Sequence, residues 1–275
     1  MPLWWLSRCV HTVNNCSVDV HVIMPLVRAS SLDLFLSCSG YLSLPSAPVT
    51  YAKSGEAAEW GTMVHTWKET GKVVHSKKRT ATSFKTRLTK TGIKHSDLYG
   101  EGLHETHLAY NWKYGYCIPY YGKDGELWKR GFNTDWITGT CDYSESLDYG
   151  RPSNLKGIDP VPPGLWVDDL KTGKWWTKTP RQSAQIAFYA MCMRHLYDSH
   201  VNVSVTHWPR YPATGRPTRT VETIEKQELD RFEEKVVKAC KLATEWDPMF
   251  NPTEDGCRFC PARKVCINAF NYDEV

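Results

Sequence analysis

Apolar positions that follow a helical pattern occur before and after the middle of the chain. Ser30 and Ser31 can cap a short helix, which would end near Cys38. Residues 56–70 are predicted to form a second helix. An amphipathic pattern over residues 228–246 predicts a long helix near the C-terminus. These segments enclose a central region of a different character.

The central region consists of short runs, many of them rich in aromatic residues and separated by glycines, which is typical of β-strands. The predicted strands span residues 104–110, 116–121, 127–130, 136–142, 164–170, 201–208 and 219–224. One helix interrupts them, since Thr179, Pro180 and Gln182 form a capping box that would begin it. This order of elements predicts a mixed α/β fold, with a single mixed sheet flanked by helices.

Composition places few limits on function. A chain of 275 residues can bury one core, or one core with an appended subdomain, and 41% hydrophobic with 23% charged residues is ordinary for a globular protein. No run of eighteen apolar residues is present, which argues against a membrane span. The net charge of +4 permits an anionic partner without requiring one. The basic residues between 72 and 100 fit two interpretations, a mobile loop or surface that follows a phosphate backbone, or a solvated face.

The first 23 residues lack the pattern of a signal peptide, and Met24 begins a segment that resembles a protein start. We therefore expect residues 1–23 to be a disordered arm or an over-extended gene start, and residues 24–275 to form a single domain. The ten cysteines are then best interpreted as reduced thiols in a cytosol.

Three cysteines close the chain in the order Cys257-x2-Cys260-x5-Cys266. This spacing places three thiolates on a short segment, which is typical of a metal site rather than of a disulfide framework. Residues 247–275 are therefore predicted to be a metal-binding C-terminal segment.

A second set of residues suggests a divalent metal site. Asp142 and Asp169 are each predicted at the end of a strand, and adjacent strand ends would bring the two carboxylates together. Oxygen ligands suit magnesium, which polarises a phosphate and lowers the pKa of an attacking water. Lys171 would lie on the same face as Asp169, although an Asp-x-Lys pair is also common on protein surfaces. Gln185 and Tyr189 lie one helical turn apart and would face the strand ends, although packing in the core would by itself explain the tyrosine.

The chain resembles the RecB-like PD-(D/E)XK nucleases, which include the nuclease domain of AddB, CRISPR-associated adaptation nucleases and phage relatives. The resemblance covers roughly residues 26–270, and the motifs follow in order: Gly61-Thr-Met-Val-His65, Thr138-Gly-Thr-Cys-Asp142, Asp169-Leu-Lys171-Thr-Gly173, Gln185-x3-Tyr189, and Cys38 with the three C-terminal cysteines. Cys38 precedes Ser39 where the family usually has proline.

The resemblance implies a restriction-endonuclease-like core with defined site residues. His65, Asp142 and Asp169 would bind Mg²⁺ or Mn²⁺ together with the Leu170 carbonyl, and Lys171 would be the catalytic lysine. Glu105 could be an additional acidic residue near this site. The other histidines (His75, His95, His104 and His107) have no motif support, and we interpret them as structural.

The resemblance also implies that Cys38, Cys257, Cys260 and Cys266 hold a [4Fe–4S] cluster, whereas the spacing alone leaves zinc open. Either metal would tie the N-terminal helix to the C-terminus and close a loop of roughly 220 residues, which reduces the entropy of the unfolded chain. The N- and C-terminal segments would then be joined by the metal centre.

The leading functional hypothesis is a DNA exonuclease that acts on ends, single-stranded or with single-stranded tails, in phage or bacterial recombination and repair. The alternatives are a spacer-processing nuclease of CRISPR adaptation and, in another class, a non-catalytic DNA-binding module with a cluster or zinc. The intact Asp142, Asp169 and Lys171 argue against the last of these. The sequence has no phosphate-binding loop of an ATP motor. A recombinase, a helicase or a CRISPR integrase would therefore be a separate polypeptide.

Overall fold

The fold is taken from a computed structural model, which describes residues 26–44, 55–73, 79–120, 132–173, 178–210, 215–244, 250–258, 260–267 and 269. The predictions for residues 1–23 and for a strand at residues 127–130 lie outside these ranges, as does His75. Within them, no helix is long and apolar enough to cross a membrane.

The described helices and strands keep the predicted order of the elements that the sequence patterns assigned, with further elements among them. The helices are α1 (Leu32–Ser37), α2 (Glu56–Thr70), α3 (Arg79–Thr91), α4 (His95–Leu98), α5 (Ala184–Tyr197), α6 (Lys226–Thr244) and α7 (Glu254–Arg258). The strands are β1 (Val27–Arg28), β2 (Leu103–Asn111), β3 (Tyr116–Pro119), β4 (Trp136–Leu147), β5 (Gly164–Lys171), β6 (Val201–His207) and β7 (Thr218–Ile224). Short 3-10 turns occupy Ala29–Ser31, Ser39–Ser43 and Pro180–Gln182.

The seven strands of the described residues form one mixed sheet, in the order β3-β2-β4-β5-β6-β7, with β1 paired to β4 outside this order. The β5–β6 pair is parallel, and β1 runs parallel to β4, while the other pairs are antiparallel. β2 pairs with one side of β4, and β1 and β5 share the other side. On that side β1 pairs with residues 137–138 and β5 with residues 143–147, so residues 139–142 of β4 lie between the two ladders.

Helices cover the two faces of the sheet through two separate apolar cores. One core joins α1, α5 and α6 to the sheet, and its most buried members include Phe35, Phe188 and Val236. The second joins α2, α3 and α4 to the opposite face, where Trp60, Trp67 and Trp208 are buried with Phe84. The edge-to-face contacts among these rings have centroid distances of 5.1–5.9 Å, the separation at which aromatic pairs attract.

Three details differ from the sequence predictions. Asp142 does not end a strand, because β4 continues to Leu147, and Tyr143 and Ser144 pair with both neighbouring strands. The capping box at Thr179 opens a 3-10 turn, and the extended Ser183 separates this turn from α5. Residues 79–91 form a helix rather than a mobile loop, because an apolar stripe of α3 packs on α2.

Candidate active site

The candidate site lies where β4 and β5 separate. The ladder between the two strands reaches Tyr143 and Asp168, and in the same register Asp142 and Asp169 come next. There the Asp142 carboxylate continues the connection, since its Oδ2 accepts the backbone N–H of Leu170 at 2.6 Å. Both aspartates are buried, with exposures of 8% and 3%. The register of the sheet therefore brings the two predicted carboxylates to one place.

A third carboxylate, that of Glu105, lies in the same row across the sheet. The β2–β4 register pairs His104 with Tyr143 and Thr106 with Cys141, so that Glu105 lies directly opposite Asp142. Glu105 adopts a left-handed backbone conformation with φ of 52°, which is uncommon for residues other than glycine. The sheet thus aligns three carboxylates on three adjacent strands, β2, β4 and β5.

His65 approaches this row from α2, on the second-core side of the sheet. Its Nδ1 lies 3.6 Å from Oδ1 of Asp142, the oxygen that Leu170 leaves available. One donor atom each from His65, Glu105 and Asp142 lies within 4.8 Å of the other two. Burial lowers the pKa of His65, an effect that outweighs the opposing charge of Asp142. A neutral imidazole is the form that binds a metal ion.

A second group of polar side chains surrounds Asp169. Lys171 Nζ lies 2.5 Å from Asp169 Oδ2, and it donates to Gln185 Oε1 at 3.1 Å. Gln185 Nε2 donates in turn to Asp169 Oδ1 at 3.2 Å and to the Tyr189 hydroxyl at 2.9 Å. Gln185 and Tyr189 project from α5, so the lysine is held between a strand end and a helix face.

The close packing of α5 on β4 depends on a glycine. A Cβ atom at Gly139 would lie 2.6 Å from Ala29 and 2.8 Å from the Tyr189 ring, distances that real side chains essentially never show. The absence of a side chain at Gly139 therefore lets Tyr189 lie directly against β4, three residues before Asp142.

Burial and nearby charges shift the pKa values of two acids of this site. Burial, followed by the charge of Asp142, raises the pKa of Glu105 to about 7. Burial also raises the pKa of Asp169, although the ammonium of Lys171 opposes the shift. Carboxylates that are difficult to ionise in one pocket are stabilised by a bound cation. The donor set, one imidazole and several carboxylates, therefore fits Mg²⁺ or Mn²⁺.

Of the two consecutive aspartates on β5, Asp169 alone faces this site. Asp168 is fully buried in the second core, where it accepts hydrogen bonds from Tyr99 at 3.1 Å and Thr206 at 2.9 Å, and from Ser204. Arg219 lies 4.0 Å from the same carboxylate. Asp168 therefore has a structural environment, and alternation along the strand separates the two residues.

Sequence reasoning did not single out Lys68, which belongs to α2 one turn after His65. Lys68 is 1% exposed, and its Nζ has no hydrogen-bond partner among the described residues. It lies 5.8 Å from the centroid of the Tyr99 ring. Apolar helix positions would be expected at such a buried site, so only the structure reveals this ammonium. The role of Glu105 depends on strand register, which the sequence does not fix.

The four cysteines of the predicted cluster line one small cavity. Cys38 lies between α1 and the following 3-10 turn, while Cys257, Cys260 and Cys266 come from α7 and the turns after it. Burial and the neighbouring thiols of Cys260 and Cys38 raise the pKa of Tyr41 to about 12. Among the described residues, the groups of three donor atoms within 4.8 Å of one another include no cysteine.

Comparison with known proteins identifies a nuclease superfamily for part of the chain. Residues 157–267 match the family model of the PD-(D/E)XK nuclease superfamily, a range that contains Asp169, Lys171, Gln185, Tyr189 and the three C-terminal cysteines. This match, together with the mixed sheet flanked by helices, confirms the predicted fold class. None of the curated proteins matches the sequence.

Two solved structures are similar to the chain over most of its length. One is a candidate exonuclease from Eubacterium rectale, with 12% identity, a TM-score of 0.43 and coverage of 88% of this chain and 87% of the other. The second, the protein SSO0001, has 11% identity and a TM-score of 0.38, with coverage of 92% of this chain and 91% of the other.

Proposed function

We propose, from the PD-(D/E)XK nuclease superfamily domain over residues 157–267, that this protein hydrolyses phosphodiester bonds of DNA with the help of Mg²⁺ or Mn²⁺. The observation that carries the proposal is the convergence of Asp142, Asp169 and Lys171 where β4 and β5 separate. Each residue is fixed by a hydrogen bond or an ion pair, and none of the three faces bulk solvent freely.

His65, Asp142 and Asp169 would hold the cation, with the carbonyl of Leu170 as a further oxygen ligand. The bound ion would supply Lewis acidity to the phosphate and a lowered pKa to the attacking water. Asp142 is suited to this position because Leu170 fixes one of its oxygens and leaves Oδ1 toward His65. The fixed carboxylate therefore requires little rearrangement on binding.

Lys171 would orient the attacking water and balance the charge that develops on the phosphate. Its ammonium is partly buried, with a side-chain exposure of 24%, and is held between Asp169 and Gln185. Both contacts act on the position of Nζ, and Tyr189 supports them through Gln185. Gln185 and Tyr189 would then serve as positioning residues.

We further propose that the protein is an exonuclease of recombination or repair that acts at DNA ends, including single-stranded tails. The resemblance to RecB-like nucleases across the ordered motifs supports this assignment. A CRISPR-adaptation nuclease would use the same catalytic residues, and the two roles differ in partner proteins. The catalytic group at Asp169 and Lys171 favours an enzyme over a purely DNA-binding module.

Cys38, Cys257, Cys260 and Cys266 would hold a [4Fe–4S] cluster, with zinc as the alternative. Two observations support a metal centre at this place: the four thiols line one cavity, and they come from both ends of the described chain. The N-terminal and C-terminal segments already meet there, since the ring of Phe250 lies against Gly40. A metal at this position would fix that contact.

The test is a cleavage assay on end-labelled single- and double-stranded DNA, with circular DNA of the same sequence as a control for internal cutting. The parent protein should degrade the linear substrates only with Mg²⁺ or Mn²⁺. Lys171→Ala and Asp169→Ala should abolish cleavage with the fold retained. Lys178→Ala is a matched control, because Lys178 forms an exposed ion pair with Asp33 at 3.1 Å. Cleavage by Lys171→Ala at the parent rate would refute the assignment.

A further inference from the structure

We propose that Glu105 is a direct ligand of the catalytic cation, which would then be held between α2 and the β2–β4 pair by His65, Glu105 and Asp142. The inference rests on the proposed function, since it concerns the same site. It adds a carboxylate from a third strand to the ligands that the sequence motifs indicate.

The first argument is the register of the sheet. Glu105 lies directly opposite Asp142, between the pairs His104–Tyr143 and Thr106–Cys141. Like charges in directly opposed positions destabilise an antiparallel pair. Glu105 also carries a left-handed backbone that non-glycine residues seldom adopt. A cation bound between the two carboxylates would convert this repulsion into an attraction.

The second argument concerns Asp169. Its Oδ1 accepts a hydrogen bond from Gln185 at 3.2 Å, and its Oδ2 forms an ion pair with Lys171 at 2.5 Å but has no hydrogen-bond partner among the described residues. Asp142 retains Oδ1 for a cation, and the donor atoms that lie within 4.8 Å of one another belong to His65, Glu105 and Asp142. The described structure therefore places Glu105 in one compact donor group with His65 and Asp142.

The third argument is Lys68. Its buried ammonium has no hydrogen-bond partner among the described residues, and its charge acts on both Glu105 and His65. A buried ammonium is costly unless opposite charge surrounds it. Lys68 thus supplies a positive charge beside the proposed ligands without occupying their oxygens, and serves as a positioning residue.

The experiment measures Mn²⁺ binding to the full-length protein without DNA, by isothermal titration calorimetry and by electron paramagnetic resonance of free Mn²⁺. Glu105→Gln should weaken binding about 10- to 100-fold, the loss typical of residues that support a metal site. Glutamine keeps the side-chain length and tolerates the same backbone. Glu69→Gln is the matched control, since Glu69 is an exposed carboxylate on α2 close to the site.

A second readout is the melting temperature with and without Mn²⁺. Without metal, the melting temperature of Glu105→Gln serves as the baseline, because this variant loses the repulsion from Asp142 together with the attraction of Lys68. The increase in melting temperature that Mn²⁺ produces should shrink in this variant and persist in Glu105→Asp, which keeps the charge. Parent-like Mn²⁺ affinity in Glu105→Gln would overturn the inference. So would equal melting behaviour of Glu105→Gln and Glu105→Asp.

The outcomes also separate this inference from the proposed function. If Glu105→Gln binds Mn²⁺ normally while Asp169→Ala and Lys171→Ala lose cleavage, the nuclease proposal stands and Glu105 is not a ligand. If those two variants cleave DNA at the parent rate, the proposed function fails, whatever Glu105 does to Mn²⁺ affinity.

Discussion

Asp142 and Leu170 are joined by a hydrogen bond of 2.6 Å, from the backbone N–H of Leu170 to Oδ2 of the carboxylate. The bond lies just beyond the last ladder pair of β4 and β5, where the strands part. The second oxygen of Asp142 faces His65 at 3.6 Å. One carboxylate therefore holds the two strands together and presents a charged oxygen to the proposed metal.

These two tasks can be separated by substitution. Asp142→Asn keeps an acceptor for the N–H of Leu170 and removes the charge. We expect it to fold normally, to bind Mn²⁺ weakly and to cleave DNA about 100- to 1,000-fold more slowly, because electrostatic stabilisation is lost. Asp142→Ala removes the acceptor as well, so its free energy of unfolding should fall by about 1–3 kcal/mol. Cleavage assays and urea unfolding check the pair. Parent-like cleavage by Asp142→Asn would show that the charge is not required.

Substitutions of the α5 residues that contact Lys171 and Asp169 should reduce the cleavage rate to different extents. Gln185→Ala removes the acceptor for Lys171 and a donor to Asp169, and should lower kcat about 10- to 100-fold with little change in KM. Tyr189→Phe removes only the hydroxyl that accepts from Gln185, and should cost less. Both losses should be smaller than that of Asp169→Ala. Single-turnover cleavage rates provide the measurement, and a loss in Tyr189→Phe equal to that in Asp169→Ala would contradict this division of roles.

The sequence predicted the element order well because most elements carry a local signal. The strand before Asp169 is a continuous apolar run, and α6 has an amphipathic period, so neighbouring residues suffice to identify each. Boundaries were less accurate. The predicted end of β4 at residue 142 was wrong because the strand continues as Tyr143 and Ser144 pair with both neighbours, which is a long-range effect.

The site was harder to predict than the fold because strand register decides which side chains meet. Glu105 lies 37 positions before Asp142, and only the β2–β4 register places them opposite each other. Arg87, in the basic segment between residues 72 and 100, also makes long-range contacts that its sequence neighbourhood does not predict. Instead of lying on a solvated face, it is 3% exposed, stacks on Trp60 at 4.4 Å and donates to the carbonyls of Pro209 and Arg210.

The dependence of stability on pH can be predicted from Glu233 on α6, which lies apart from the active site. Its carboxylate accepts from Tyr110 at 2.6 Å and contacts His195 at 2.9 Å, and it also pairs with Arg194. Burial alone would raise the pKa of Glu233, but the hydrogen bonds from His195 and Tyr110 and the nearby positive charges outweigh it and lower the pKa. A lowered folded-state pKa contributes stability above the unfolded value of about 4.3, and this contribution is lost as the pH falls through the folded value.

Glu233→Gln should therefore reduce the free energy of unfolding by about 1–2 kcal/mol at pH 7, and the difference from the parent should shrink as the pH falls below about 4. Urea unfolding at several pH values measures the difference. Glu234→Gln is the control, because Glu234 is the exposed neighbour on the same helix. A constant difference between Glu233→Gln and the parent over this pH range would show that the charge of Glu233 is not responsible.

The last prediction concerns the four cysteines that line one cavity. Protein purified without oxygen should be brown and contain about four irons per chain. Cys38→Ala should lose as much iron as Cys260→Ala. The two thiols line the same cavity from the N-terminal and the C-terminal segment, and one metal centre would need both. Cys117→Ala is the control, since Cys117 lies on β3 outside this cavity. Iron analysis and visible absorption provide the measurement.

Loss of the metal from the four cysteines should lower the melting temperature, because metal ligation adds directly to the free energy of folding. It should do so before Mn²⁺ binding is affected, since the cysteines lie outside the carboxylate group. A colourless protein with one zinc per chain would replace the cluster by zinc and leave the nuclease proposal intact. Full metal content in Cys38→Ala would show instead that the fourth ligand lies elsewhere. In that case the segment around Gly40 would be held to the C-terminal segment by its contact with Phe250 rather than by a shared metal.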